Sequence, residues 1–406
     1  MPSREETSYF GAGPAPLPTS VLKLAADNLL NYNNLGVGLC EISHRSQDAL
    51  AILEGTKAGL KQLLRIPDNY EVLFLQSGGT GEFSAAVYNL VSIWVERRRK
   101  ALAEKGGLEE EVIEQLKKVV DEELTLDYLV TGSWSLKASQ EAARLIGKNH
   151  INVALDSRQS NHGKFGTIPP ESDWKLKDKA AFVYFCDNET VDGVEFPQFP
   201  SALEPKGADD EPIVVADMSS NFLSRAVHVE KYGIIFGGAQ KNIGSTGIAL
   251  VIARKDLLDA KNHASPDLLR KLNLPIGPIV LDYPTIAKNN SLYNTLPIFD
   301  VWIAGEVVKG LLSRHGEAAI QGQQKESDEK ADLIYGVLEK YEKVYKIVPE
   351  KSVRSRMNIC FRVQGGNAEA EKTFLQGAER RGLTGLKGHR SVGGIRCSNC
   401  KFPITT

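Results

Sequence analysis

The apolar positions of the chain follow two periods, and the switches between them mark its elements. In "QDALAILEGTKAGLKQLL" (47–64) they recur at helical spacing, and Pro67 ends the run. "SVLKLAADNLLNYNNLG" predicts an earlier helix, from a cap at Ser20 to a stop at Gly36. "YEVLFLQSGGTGEFSAAVYNLV" (70–91) reads as strand, glycine turn and helix, the opening of an α/β unit. Residues 97–123 are densely charged, yet Leu108, Val112, Ile113, Leu116, Val119 and Val120 mark one face of a helix, so a solvated helical insertion is expected. The α/β rhythm then resumes. "LDYLVTGSW", "HINVALDS", "AAFVYFCDNETVDGV" and "EPIVVADMSSNF" are strands ending in polar loops, with "SLKASQEAARLIG" a helix between the first two. Ile234–Phe236 and Ile248–Ile252 are two further buried strands.

Near Asn289 the character changes. "NNSLYNTLPIFDVWIAGEVVKGLLSRHG" begins as a loop and becomes a long helix. "SDEKADLIYGVLEKYEK" and "AEAEKTFLQGAERRGL" are helices, and "VRSRMNICFRVQ" between them reads as a strand pair. The pattern predicts a large α/β domain over 16–290 and a small α+β domain over 291–406. The Gly/Pro-rich strap within 1–15 is expected to join the small one.

Composition narrows the class. Of 406 residues, 42% are hydrophobic and 25% charged, as in an ordinary globular protein. A formal net charge of −2 argues against a nucleic-acid surface spread over the molecule. No apolar run is long enough to cross a bilayer, and "MPSREETSYF" lacks the apolar core of a signal peptide. A cytoplasmic protein without membrane or nucleic-acid partners is expected. Five cysteines, an odd and sparse set, fit reduced thiols. Cys397 and Cys400 form a C-x-x-C without a second ligand pair, so no metal is expected.

Candidate chemistry lies at the strand ends, where open α/β sheets bind ligands. There stand "SGGTGE" (77–82), "TGSW" (131–134), "NET" (188–190), "VADMSS" (215–220) and "GAQK" (238–241). Each alone is weak: a glycine turn, a capping aspartate, a lysine. Together they suit pyridoxal phosphate, which needs an amine for a Schiff base, a carboxylate facing its ring nitrogen and a phosphate cradle. Lys241 supplies the amine among small neighbours, and Asp217 ends the preceding strand. Gly78, Gly79 and Thr80 open a helix whose N–H groups can hold phosphate, and Trp134 can stack on the ring.

Two His-Arg doublets stand apart, in "EISHRS" (41–46) and "KGHRSVGGIR" (387–396). Surface or salt-bridged arginines are one reading. The other makes Arg396 an α-carboxylate clamp and the doublets a pocket for a second, doubly charged group.

The strings "GPAPLP", "EISHRS", "SGGTGEF", "NETVDGVEF", "GAQKNIGSTG", "YNTLPIF" and "GHRSVGGIR" resemble the phosphoserine aminotransferase family, in order and across nearly the whole chain. The resemblance implies a type I pyridoxal phosphate transferase fold and a homodimer with active sites shared across the interface. It also implies transamination between glutamate and 3-phosphohydroxypyruvate, giving O-phosphoserine and 2-oxoglutarate in serine biosynthesis. By position, Lys241 looks like the catalytic lysine, with Gln240 beside it at the cofactor. Asp217 matches the ring-nitrogen partner, Trp134 the stacking ring, Thr190 the contact to the ring hydroxyl, and Gly79 and Thr80 the phosphate loop. Asn294 and Thr295 match a phosphate contact made from the other subunit. His44, Arg45, His389, Arg390 and Arg396 match the substrate-anion residues. The chain departs from the pattern at Thr80, where some relatives carry a basic residue, and in its longer insertion at 97–123. Rivals are a cysteine desulfurase using Cys397 or Cys400, an alanine–glyoxylate type aminotransferase, and a non-catalytic phosphate-binding module. The last lacks G-x-x-x-x-G-K-[ST] and G-x-G-x-x-G.

Overall fold

A computed structural model describes residues 3–208 and 210–400. The elements begin with β1 (Ser8–Tyr9), α1 (Thr19–Asn28), α2 (Gln47–Leu64), β2 (Tyr70–Leu75), α3 (Gly78–Ala103) and α4 (Glu109–Glu123). There follow β3 (Leu126–Val130), α5 (Ser133–Ile146), β4 (Ile151–Asp156), β5 (Phe182–Cys186), β6 (Ile213–Asp217), β7 (Ile234–Gly238) and β8 (Ala249–Arg254). The remainder comprises α6 (Pro266–Lys271), α7 (Tyr283–Lys288), α8 (Ile298–His315), α9 (Ala319–Lys340), β9 (Tyr345–Ile347), β10 (Asn358–Val363), α10 (Ala368–Glu379), β11 (Leu383–Thr384) and β12 (Ile395–Ser398).

A seven-stranded sheet in the order β2-β8-β7-β6-β5-β3-β4 forms the frame. Its strands run parallel except β8, which is antiparallel to both its neighbours. Side chains alternate across it. Val183, Phe185, Val214, Ala216 and Ile235 face a core shared with α2 and α8. Tyr184, Val215 and Phe236 face the opposite core, built with α3, α4 and α5. Asp217 follows Val215 by two residues and so belongs to that second face.

The charged stretch behaves as an amphipathic hairpin. The helix α3 runs on to Ala103, and α4 buries Val112, Leu116 and Val120 while Glu114 and Lys117 pair in solvent at 2.6 Å. Two local expectations change. The first helix stops at Asn28 instead of reaching Gly36, because Asn33 and Asn34 take left-handed backbone (φ 48° and 60°) and Leu39 N–H closes onto Asn28 O. The stretch 353–364 yields one strand, β10, since Lys351–Val353 coils into a short 3₁₀ turn.

A three-stranded sheet, β12-β10-β9, carries its own core, where Ile359, Phe361 and Ile395 meet Tyr335 and Leu338 of α9. The expected division at 290/291 passes between α7 and α8. Helix α8 nonetheless packs Val301, Ala304 and Val308 into the core of the large sheet. The strand β1 pairs in parallel with β11, Ser8 opposite Leu383. Among the described residues no helix is long and apolar enough to cross a membrane.

Candidate active site

The loops that leave β2, β3, β5, β6 and β7 emerge at one edge of the sheet. Gly79, Thr80, Trp134, Thr190, Asp217, Gln240 and Lys241 line a single cavity there. Phe83, Cys186, Asn188, Ser219 and Ser220 complete its wall.

Lys241 sits in the hairpin between β7 and β8, a connection tightened by Gly244 N–H donating to Ala239 O at 2.7 Å. Its side chain is 7% exposed, and Nζ donates to Thr190 Oγ1 at 2.6 Å. Burial lowers its pKa, with Cys400, Asp217 and Cys186 acting in the other direction. The strap lies against it: Ala15 N–H donates to Gln240 O at 2.8 Å, and a Cβ on Gly13 would stand 3.3 Å from Lys241 Cγ.

Asp217 is buried at the end of β6, and burial raises its pKa. Its hydrogen-bond donors are the Ser219 N–H at 2.8 Å and the Tyr184 hydroxyl at 3.5 Å, both neutral. A protonated ring nitrogen would give this carboxyl the cation that its hydrogen-bond partners do not supply. Beside it, a Cβ on Gly79 would come 3.0 Å from Ser219 Oγ, so a side chain there would crowd that hydroxyl and the space beside Asp217.

Trp134 is set by the start of α5. Glu189, fully buried, accepts from Trp134 N–H at 2.9 Å and from Ser135 N–H at 2.8 Å, and so caps that helix from the "NET" loop. Gly132 permits this approach, since a Cβ there would overlap the Glu189 carboxyl at 2.3 Å. Burial and the neighbouring Asp192 push the Glu189 carboxyl up. These residues fit pyridoxal phosphate: a buried amine, a carboxyl with only neutral donors, an open glycine turn at a helix start and an aromatic wall.

At the cavity mouth, Arg396 Nη1 donates to Thr190 O at 3.3 Å, while its Nε is buried without a hydrogen-bond partner among the described residues. His389 bonds Ser391 Oγ at 2.7 Å, and its pKa is lowered by burial and by Arg396, Lys137 and Arg390, which places these cations together. Lys137 also stands 4.1 Å over the Trp134 ring. Seven expected residues, His44, Arg45, Asn294, Thr295, His389, Arg390 and Arg396, do not line the cavity itself. Asn294 Nδ2 donates to Gln76 Oε1 at 2.7 Å, and Gln76 reaches Thr295 O. His44 and Arg45 lie in the turn before α2, where His44 Nε2 is buried without a hydrogen-bond partner among the described residues.

Sequence reasoning missed Glu189, Tyr184, Ser219 and Lys137. Ser219 and Glu189 stood inside strings already singled out, and Lys137 lies one helical turn beyond Trp134. Tyr184 required strand alternation to be read against the register Cys186–Asp217.

A family model, aminotransferase class-V, matches residues 8–108 and 110–398. The phosphoserine aminotransferase of Saccharomyces cerevisiae is 44% identical over 401 residues, 97% of this chain and 93% of that protein. That of Drosophila melanogaster is 40% identical over 391 residues, covering 96% and 92%. Among solved structures, phosphoserine aminotransferase from Bacillus circulans subsp. alkalophilus superposes with a TM-score of 0.78 at 34% identity, covering 96% of this chain and 91% of that one. The pyridoxal phosphate-bound enzyme from Trichomonas vaginalis gives 0.75 at 32%, covering 96% and 94%. The α/β fold with a mostly parallel central sheet is common to these proteins, and pyridoxal phosphate is the cofactor.

Proposed function

Because this chain belongs to the aminotransferase class-V family, we propose that it transfers the amino group of L-glutamate to 3-phosphohydroxypyruvate, giving 2-oxoglutarate and O-phospho-L-serine for serine biosynthesis. The observation that carries the substrate class is the cluster of cations beside the cavity: Arg396, whose buried Nε has no hydrogen-bond partner among the described residues, Arg390 and Lys137, grouped around the His389 imidazole. Two anionic ends need two sets of donors.

Bound pyridoxal phosphate supplies an aldehyde that takes up amino groups and a ring that withdraws electrons. The chain's residues do the rest. Lys241 Nζ, its cationic form disfavoured by burial, takes and returns a proton, and the Thr190 hydroxyl holds it in place. Asp217 holds the ring nitrogen, Trp134 covers the ring, Gln240 borders it, and Gly79 and Thr80 offer backbone N–H groups to the phosphate. Arg396 takes the α-carboxylate. The doublets His44–Arg45 and His389–Arg390 take the phosphate or the γ-carboxylate, so one site serves both substrates.

The protein acts as a homodimer. Asn294, Thr295, His44 and Arg45 are absent from the cavity wall of their own chain and are assigned to a second copy's site. The apolar run Leu24, Leu29, Leu30, Leu35 and Val37, all exposed, supports a partner surface near them. Our working division keeps the large unit at 16–290 and the small one at 291–406 with the strap, α8 reaching from the second into the core of the first, and the cytoplasm is the working compartment.

A desulfurase that uses Cys397 is disfavoured because that thiol is buried and pushed up to about 12 by burial; for Cys400, release of sulfide from cysteine is the deciding assay. The test is glutamate-dependent amination of 3-phosphohydroxypyruvate against hydroxypyruvate. A preference of at least about tenfold in kcat/KM is expected, and equal rates would overturn the substrate assignment.

A further inference from the structure

One carboxyl beneath the glycine turn has no place in the chemistry above. Glu82, on the second turn of α3, is fully buried. Oε1 accepts from the hydroxyl of Ser77, the residue that starts the turn, and Oε2 accepts from the Tyr283 hydroxyl of α7 at 2.8 Å. The start of α7 is itself tied to α3, since Tyr283 N–H donates to Asn89 Oδ1 at 2.9 Å. The other titratable group acting on Glu82 is Asp217 of β6, while Glu141 of α5 is engaged with Ser84 and Arg144.

We propose that Glu82 is a positioning residue for the phosphate cradle, and that it takes up a proton from solvent when an anion settles on residues 78–80. This rests on the reading of that turn as the cradle. Both hydroxyls can turn to accept from the neutral acid or donate to the carboxylate, so either state keeps the turn tied down. A phosphate dianion brings a like charge to the same helix start and favours the neutral acid. In the chain alone, burial pushes this carboxyl up to about 7, so the uptake falls in the working range.

The experiment measures binding of pyridoxamine 5′-phosphate, which carries the phosphate but no aldehyde, by calorimetry across about pH 6 to 8.5, in buffers of different ionisation heat. Wild type is compared with Glu82→Gln, which fixes the neutral form; the ligand's own ionisations cancel in the ratio. Wild-type affinity should fall relative to the variant by up to about tenfold per pH unit above neutrality, with excess proton uptake in wild type only. Tyr283→Phe removes one donor to the carboxylate and should move the break to higher pH. Identical pH slopes and proton counts in wild type and Glu82→Gln would overturn the proposal while leaving the cradle intact. Failure of both to bind pyridoxamine phosphate would remove the cradle reading and the proposal together.

Discussion

Replacing Arg225 by Met should cost about 3–5 kcal/mol, a large fraction of the stability of a folded chain. Arg225 Nη2 bonds both carboxylate oxygens of Asp187, at 2.7 and 2.6 Å, and Nη1 donates to Phe196 O at 2.9 Å. Asp187 is fully buried, and Glu195, also buried, adds a like charge that only Arg356 would then balance. Methionine fills the space without the charge, so Asp187 is left as an unpaired anion in the interior. It would respond by taking a proton. The cost should therefore be smaller at about pH 5 than at pH 8, growing by up to about 1.4 kcal/mol per unit in between. The sign follows from the direction of the shift: losing Arg225 raises the Asp187 pKa, so stability present at low pH disappears as pH rises. Urea unfolding of the cofactor-free protein at both pH values, monitored by circular dichroism, measures it. The double variant Asp187→Asn with Arg225→Met should recover much of the loss. An Arg225→Met protein within about 1 kcal/mol of wild type at pH 8 would refute the reasoning, because it would mean that the Asp187 charge is compensated elsewhere.

Lys241→Ala should fold normally yet lose at least about a thousandfold in transamination, since no neighbouring group replaces Nζ as proton carrier; unchanged steady-state rates would remove its assignment. Arg45→Ala and Arg390→Ala should each weaken 3-phosphohydroxypyruvate by about ten- to a hundredfold and hydroxypyruvate far less, whereas Arg396→Ala should weaken both keto acids and glutamate alike, as kcat/KM for each will report. Mixing Asn294→Ala with Lys241→Ala should restore activity through hybrid dimers that hold one intact site, and no recovery after proven subunit exchange would place Asn294 in its own chain's site.

The strand ends were legible because each combined a buried apolar run with small or polar residues, a pattern set by the sheet itself. Lys241, Asp217 and the 78–80 turn emerged from that rule and from the needs of one cofactor. The supports of the site were less visible. Glu189 looked like part of a loop, and its burial against the start of α5 depends on Gly132, distant in sequence and silent in any periodicity. The reach of α1 was overestimated because the asparagines of "NYNNLG" (31–36) tolerate left-handed backbone that hydrophobic spacing does not register. The division at 290 was drawn where composition changed, but α8 finds its buried partner in α2, and no local pattern announces a contact across that span. Asn294 and Thr295 came only from resemblance, while His44 and Arg45 stood out as a doublet without a place, and none of the four lines the cavity of its own chain.

The strap against Lys241 has a consequence in time. It is anchored at β1 to β11, and Phe10 O accepts from Ser398 N–H at 3.0 Å, so its anchors lie at opposite ends of the described chain. Contacts of such separation close late, after the loop entropy between them has been overcome. During synthesis, the large sheet and its lysine hairpin are complete once residue 254 has emerged, and Ala15 can then bond Gln240, yet the β1 end of the strap has no anchor until β11 and β12 follow. A nascent chain therefore holds the cover over its amine by one end alone until the small sheet forms, and the finished enclosure is a late event of folding.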